Sequence, residues 1–539
     1  MDKRALLAIV LSFFVIYIYK DYFVPPVPAP QTDAGLKAEA LKVKRGQEAD
    51  KTASDSPVES AKAVNDQAQP VVVKAKAATV SKAPESFKYE NNQAIIAIST
   101  LGGGGIESLT LKDYREELSD EASHVERINV SKGDPLPLSL SFSSSAAQIG
   151  TDKVFDMSRE GENTLVYSWS SPQGITLEKR YTFKPDGYEI DIRTTLINGS
   201  SAPVTGDMAL NFYDRDNVEG DMYTFIGLAV KKGDDIEKES FTDIEEEHFT
   251  VDADIDWLAL ENKYFVTALV PNKGSSGKVI AKRISDKLIE TSLVHSSLSI
   301  PAGDKISFQY NLYSGPKDFY RLKDVGSGLE AAIDMGWFHA IAEPLLRFLK
   351  LIYSYTGNYG YAIILVTLII KIIFFPLANK SYKSMKQMQK LSPLMTELRE
   401  KYKDDKERMS REVMELYRKH RVNPLSGCLP MIVQIPVFIA LYNVLMNAIE
   451  LRHAPFHFWI MDMSVKDPYY VTPLLMGITM FLQQKMSPAA PDPTQQKVMM
   501  MMPVIFTFMF MNLPSGLVLY WLVNNILSIA QQYYIIKRT

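Results

Sequence analysis

The 539-residue chain has almost no cysteine: Cys428 stands alone, so no internal disulfide can form, and no CxxC or Cys/His spacing offers a zinc site. Histidine is scarce too, and His124, His248 and His295 in the polar middle of the chain are scattered without an acid/base constellation. No G-x-S-x-G element occurs, which removes the usual hydrolase nucleophile. The run Leu101-Gly-Gly-Gly-Gly-Ile106 is followed neither by Gly-Lys-Ser/Thr nor by a helical pattern, so it reads as a strand-connecting turn rather than a phosphate cradle. Neither sign of charge dominates: 59 lysines and arginines face 63 aspartates and glutamates, and the net of -4 gives no reason to expect nucleic acid as a bulk partner. From Pro25 to about Pro84 there are no aromatic residues and few large aliphatics; this stretch cannot bury a core and reads as a disordered tether. Nothing marks a cofactor site, and an enzyme is not expected.

What the chain does have is apolar residues crowded into runs. Residues 1–24 place Lys3 and Arg4 before the run Ala5 to Tyr19, with no A-x-A site after it, which predicts an uncleaved signal anchor with a cytoplasmic N-terminus. Over residues 85–325 the period is two. Ile175, Leu177, Lys179, Tyr181 and Phe183 alternate with Thr176, Glu178, Arg180 and Thr182, and after Lys184-Pro-Asp-Gly187 the alternation resumes at Tyr188, Ile190 and Ile192. That pattern predicts an all-β antiparallel sandwich. Over 326–357 the period becomes helical: Ile333, Trp337, Ile341, Leu345, Phe348 and Ile352 predict an amphipathic helix at the membrane surface, or one packed on the β domain.

Five apolar stretches follow, at about 359–379, 425–449, 469–484, 498–513 and 515–533. With the anchor they make six expected spans of a polytopic α-helical membrane protein, the third and fourth of the five being short. The charges of the loops agree with both termini being cytoplasmic. The segment Lys380 to Arg421 is crowded with bases, whereas the loop around 450–468 has only Arg452 and Lys466.

Two elements of the membrane half carry chemistry. Lys371 lies inside an otherwise apolar run, with Thr367 one turn before it, and an ammonium in hydrocarbon costs at least about 2.5 kcal/mol. It either faces protein or a wet cavity, or it snorkels to the surface. Tyr520, Asn524, Ser528 and Gln531 recur at one face of the last run, with Trp521 beside them, and Gln434 adds an amide from another run. A dry hydrogen-bond network and a hydrated groove both fit; a lone lysine with no carboxylate in the five runs favours the groove. The second element is a helical hairpin over 380–423. Its seam is Met388, Leu391, Met395, Leu398 and Tyr402 against Met409, Val413, Leu416 and His420, with Ser392-Pro393 read as a helix restart. Its bases, among them Lys383, Lys386, Lys390, Arg399, Lys401, Arg408 and Arg411, suit anionic lipids or ribosomal RNA, or form a solvated face that only sets topology.

At Asn423-Pro-Leu-Ser-Gly-Cys-Leu-Pro430, Gln434-Ile-Pro436, Asp467-Pro-Tyr-Tyr470, Gln484-Lys-Met-Ser-Pro488 and Pro514-Ser-Gly-Leu-Val-Leu-Tyr520 the chain resembles the YidC/Oxa/Alb family of membrane protein insertases, in its proteobacterial type. The resemblance implies a five-helix core 358–539 enclosing a hydrophilic groove open to cytoplasm and lipid but closed outside, and a periplasmic super-β-sandwich. It also implies insertion of nascent membrane proteins into the inner membrane, alone or with the Sec translocon, and contact of the hairpin with the ribosome and the signal recognition particle receptor. The family's groove charge is usually arginine; Lys371 keeps the charge and loses the bidentate fork. The chain ends at Thr539 without the long basic extension of some members, which puts any ribosome contact on the hairpin. An ion- or proton-coupled transporter using Lys371 is the alternative, against which stand the lack of an inverted repeat and of intramembrane carboxylates.

Overall fold

The computed structural model describes residues 83–538 apart from 217–223, 245–248, 273–276, 404, 421, 423–428 and 488–492. The expected anchor and nearly all of the tether, with His248 and Cys428, lie outside the described residues.

The alternation of the middle segment becomes strands. Along Ile175–Phe183 every second residue is buried. The strand pairs antiparallel with Glu189–Asn198, from Ile190 opposite Phe183 to Asn198 opposite Ile175, and the turn between them closes on Gly187 at φ +95°. These two lie in a nine-stranded sheet of spatial order Asp235–Ser240, Gly227–Lys232, Trp257–Glu261, Phe265–Pro271, Lys305–Pro316, Glu189–Asn198, Ile175–Phe183, Thr164–Ser170 and Asp156–Glu160. A six-stranded sheet (Phe249–Ala253, Gly277–Arg283, Leu288–Ile300, Val204–Arg215, Ser139–Ser144, Gln148–Ile149) and a four-stranded one (Ser86–Glu90, Ala94–Ser99, Ile106–Arg115, His124–Glu126) complete the β half. Tyr167, Tyr181, Trp257, Leu269 and Leu312 are fully buried in their common core. Burying such a side chain contributes about 1.5–3 kcal/mol.

The tetraglycine run joins Ala94–Ser99 to Ile106–Arg115 as a turn, with Gly102, Gly103 and Gly104 all at positive φ. A Cβ on Gly104 would stand 2.9 Å from the Tyr167 ring, so only glycine fits there without displacement. The same alternation that buries Leu177 and Tyr181 also buries Lys179, whose ammonium donates to the carbonyls of Gly104 and Leu138 and lies 4.8 Å from the Tyr181 ring centre. Burial pushes the Lys179 pKa well down.

The helical half begins with α1 (Phe319–Val325), capped by Asp318, whose carboxylate accepts from the Tyr320 and Arg321 amides. Then come α2 (His339–Thr356), α3 (Tyr359–Lys401), α4 (Lys406–Lys419), α5 (Leu429–Asn447), α6 (Val471–Met486), α7 (Pro493–Phe510) and α8 (Ser515–Arg538). The amphipathic helix expected within 326–357 differs from the observed one. Leu329–Ala332 is a 3-10 turn, Gly336 takes φ +67°, and α2 starts only at His339, leaving Trp337 ahead of it and 89% exposed. Its buried face is Ala342, Leu346 and Leu349, with Ile341, Leu345, Phe348 and Ile352 half-buried beside them, and it packs on α3 and α5 rather than on the β sheets.

α3 runs 43 residues through Pro376 and Pro393, about 65 Å at 1.5 Å per residue. The restart expected at Ser392-Pro393 is absent. Leu391 and Met395 are buried against Tyr417 of the hairpin's second arm and Val422 just after it, and α3 continues unbroken through the proline. Among the described residues one helical stretch, Tyr359–Leu391, is long and apolar enough to cross a membrane; Ile432–Asn447 and Val498–Phe510 are apolar but shorter. α8 packs along α3 and α6.

The two halves meet through side chains. Arg452, in the loop after α5, donates to the Arg115 and Glu116 carbonyls, and Lys350 of α2 pairs with Asp318 and Glu450, both at 2.8 Å. Ile449 from that loop is buried in the β core, and α1 contributes to both cores, Leu322 to the β core and Phe319 to the helical core.

Candidate substrate groove

α3 and α8 start from one end of the helical bundle. Asn358, the cap of α3, donates to the Pro455 and Phe456 carbonyls, and the Ser515 and Gly516 amides at the head of α8 donate to the Val465 and Met463 carbonyls of the same loop. Twelve to thirteen residues along each helix, about 18–20 Å at helical rise, Lys371 meets Ser528. The Lys371 ammonium donates to Ser528 Oγ at 2.8 Å, and that hydroxyl donates in turn to the Asn524 carbonyl at 2.6 Å. Asn524 Oδ1 accepts from Gln434 Nε2 of α5 at 3.1 Å. Three helices thus contribute to one polar chain. Among the described residues no carboxylate pairs with Lys371, and Ser528 is the one acceptor given to its three N–H donors.

Toward the Ser515 end the lining turns aromatic. Trp521 stands edge-on to Phe438 of α5 and Phe510 of α7, both at 4.6 Å between ring centres, and the buried Tyr520 lies 6.1 Å from Phe438. The residues expected in a groove therefore fall into groups. Lys371, Ser528, Asn524 and Gln434 are joined, whereas Tyr520 and Trp521 pack with Phe438 and, for Trp521, Phe510. Thr367 is fully buried and its hydroxyl donates to the Ile363 carbonyl of its own helix, so it takes no part in the polar chain. Gln531 is half-buried, and its Nε2 is enclosed without a partner.

Two residues escaped the sequence reading. Asn525 and Gln532 are 4% and 1% exposed; Gln532 donates to the Met486 carbonyl of α6 at 2.8 Å, while Asn525 Nδ2 and Gln532 Oε1 are enclosed without partners. The doublets Asn524-Asn525 and Gln531-Gln532 were the available signal: a second polar line, one residue round the helix from the first.

The hairpin presents Lys383, Lys390, Lys401, Arg408 and Arg411 as exposed bases, Lys386 is half-buried, and the Arg399 side chain is outside the described residues. Arg411 pairs with Glu407 at 3.1 Å, and Lys401 and Arg408 lie 5.4 and 5.2 Å from the Tyr402 ring centre. The seam holds Leu391, Met395 and Tyr417, with Met388, Val413 and Leu416 against them, but His420 is exposed.

Comparison with known proteins bears on both halves. The family described as "YidC periplasmic domain" matches residues 88–348, and that described as "60Kd inner membrane protein" matches residues 351–539. A membrane protein insertase YidC of Syntrophus aciditrophicus (strain SB) is 44% identical over 552 residues, covering 100% of both chains. The chain belongs to the YidC membrane protein insertase family. The insertase YidC of Geotalea daltonii is also 44% identical, over 100% of this chain and 99% of its own. A solved YidC insertase with its first transmembrane domain resolved aligns over 84% of this chain and 93% of its own, at 18% identity and a TM-score of 0.37. The family's periplasmic region runs past the last strand into α2, so in family terms α1 and most of α2 belong with the β half.

Proposed function

We propose that this chain inserts nascent membrane proteins into the inner membrane through the groove between α3, α5 and α8. A hydrophilic segment of the client enters from the cytoplasmic side, is held near Lys371, and crosses outward while its apolar segment moves into lipid. No bond is made or broken. Burial of the client's apolar span, about 25 cal/mol per Å² removed from water, drives the step, and a wet path lowers the cost of carrying polar residues across. The observation that carries this reading is the setting of Lys371: a charge with one hydroxyl partner, no counter-ion among the described residues, and amides from two other helices in line with it. An ammonium in that position holds its charge where water reaches the remaining donors. The aromatic cluster around Trp521 supports a groove closed at its outer end. Sec translocon, ribosome, signal recognition particle receptor and anionic lipid belong to the same reading, the last three through the exposed bases of the hairpin.

Lys371→Arg, →Ala and →Glu test it with one acidic-tailed and one neutral-tailed client, at equal membrane levels, with protease protection as readout. Arginine preserves insertion, since a point charge is all the role needs. Alanine impairs the acidic-tailed client more than the neutral one, and glutamate is worse, because it repels the same segment and leaves another costly charge in the membrane. Equal insertion of both clients by wild type and the alanine variant overturns the role of the charge.

A further inference from the structure

We propose that the loop 456–469 and the first turn of α3 form an aromatic anchor seated in the headgroup layer of the outer leaflet. Six rings stand there in an unbroken line. Tyr361 lies 5.8 Å from Phe456 and 5.1 Å from His457; His457 lies 6.1 Å from Phe458, Phe458 5.9 Å from Trp459, and Trp459 6.4 Å from Tyr469. Their surface is open: Phe458 is 89% exposed and Tyr469 68%, with Met461 and Val465 more than half exposed between them. Phe458 is held outward at φ +59°, a left-handed conformation that a phenylalanine adopts only when its surroundings impose it. They do impose it, since the loop is bonded by its backbone to the heads of α3 and α8.

The charges of the loop are sorted to match. Asp462 and Asp467 both turn inward. Asp462 accepts from the Ser464 amide and hydroxyl, and Asp467 from the Trp459 indole, the Tyr469 amide and both donors of Thr472. Lys466 is the one lysine or arginine of the loop, and it is exposed, so a phosphate layer meets a cation and no carboxylate. Tyrosine and tryptophan, with an apolar body and a polar tip, settle at such boundaries.

The occupant follows from continuity with α3. Tyr361 heads an exposed apolar stripe of Leu365, Leu368 and Ile372 at helical spacing, and exposed Lys380 lies 19 residues below it, about 28 Å at helical rise. That length matches the roughly 30 Å of a bilayer's hydrocarbon. A face that continues a lipid-length stripe at its upper boundary meets lipid headgroups rather than another protein.

The inference rests on α3 spanning the membrane, and the experiment keeps the two apart. In the full chain with Cys428→Ser, single cysteines at Phe458→Cys, Met461→Cys, Ile372→Cys and, on a β-half hairpin, Asp234→Cys carry an environment-sensitive fluorophore. The protein is reconstituted in phosphatidylcholine/phosphatidylglycerol vesicles. Quenching is compared between lipids spin-labelled at the headgroup, lipids spin-labelled deep in the acyl chain, and aqueous iodide. Positions 458 and 461 are quenched most by the headgroup label, 372 most by the deep label, and 234 by iodide alone. Quenching of 458 and 461 by iodide alone overturns the anchor, as does quenching by none of the three, the result expected if a protein partner covers the loop. Either result with deep quenching retained at 372 sinks the anchor and leaves the span standing.

Discussion

At the scale of single residues, Lys371, Ser528, Asn524 and Gln434 were legible because each is a polar group that an apolar run has no other reason to carry. The spacing along α8 put two of them on one face, and the structure joins them to partners on α3 and α5. Thr367 was not legible in the same way: a threonine in a helix can satisfy its hydroxyl on the carbonyl four residues back, and this one does, so its place on the lysine's face carries no contact. Asn525 and Gln532 lie one residue round α8 from the face of Asn524 and Gln531, where the spacing of a single polar stripe does not reach. The Lys371–Ser528 bond separates a wet groove from a dry network. With water present, Ser528→Ala merely exchanges one acceptor for another, and the variant accumulates in the membrane and resists detergent unfolding like the wild type. In a dry bundle it strands an ammonium, a loss of about 3–5 kcal/mol, and poor accumulation on a quantitative blot would count against the groove.

At the scale of elements, alternation and helical spacing located the strands and helices, and their ends were harder. Ile175–Phe183 and its partner could be read residue by residue, buried lysine included, because a two-residue period tolerates no ambiguity about which face is inner. The start of α2 was misplaced by the apolar spacing of Ile333 and Trp337, which continues the stripe on paper, while the left-handed Gly336 breaks the backbone between them and the helix. Ser392-Pro393 carries the residues of a helix start, yet α3 passes through it. The local preference is outweighed by Leu391 and Met395 packing on Tyr417, whose hydroxyl also reaches the Met395 sulfur at 3.2 Å. Tyr417 was absent from the expected seam because it lies one residue beyond the apolar period, yet it is buried there with Leu391 and Met395.

At the scale of the whole molecule, the division into a β half and a helical half was plain from the change of period, while the number of crossings rests on charge as much as on length. Ile432–Asn447 and Val498–Phe510 are shorter than the roughly 20 residues of a relaxed span, so in a six-span arrangement the bilayer thins beside them. A reporter fused at Asp234 is expected outside and one at Asp405 in the cytoplasm, read by alkaline phosphatase and fluorescent-protein activity; an outside reading at 405 would overturn that arrangement. The exchange of residues between the halves has a thermodynamic consequence. Ile449 completes the β core from the helical side, and α1 contributes to both cores, Leu322 to the β core and Phe319 to the helical one, so neither half can unfold without stripping cover from the other. Two folding units that cover parts of each other's cores are expected to lose their structure together. Scanning calorimetry of the full chain in detergent is expected to show a single endotherm, and Ile449→Ala to lower and broaden it or split it in two. In the terms of unfolding, the two halves are dovetailed into one molecule, and heat would reach the helical core and the β core at the same temperature.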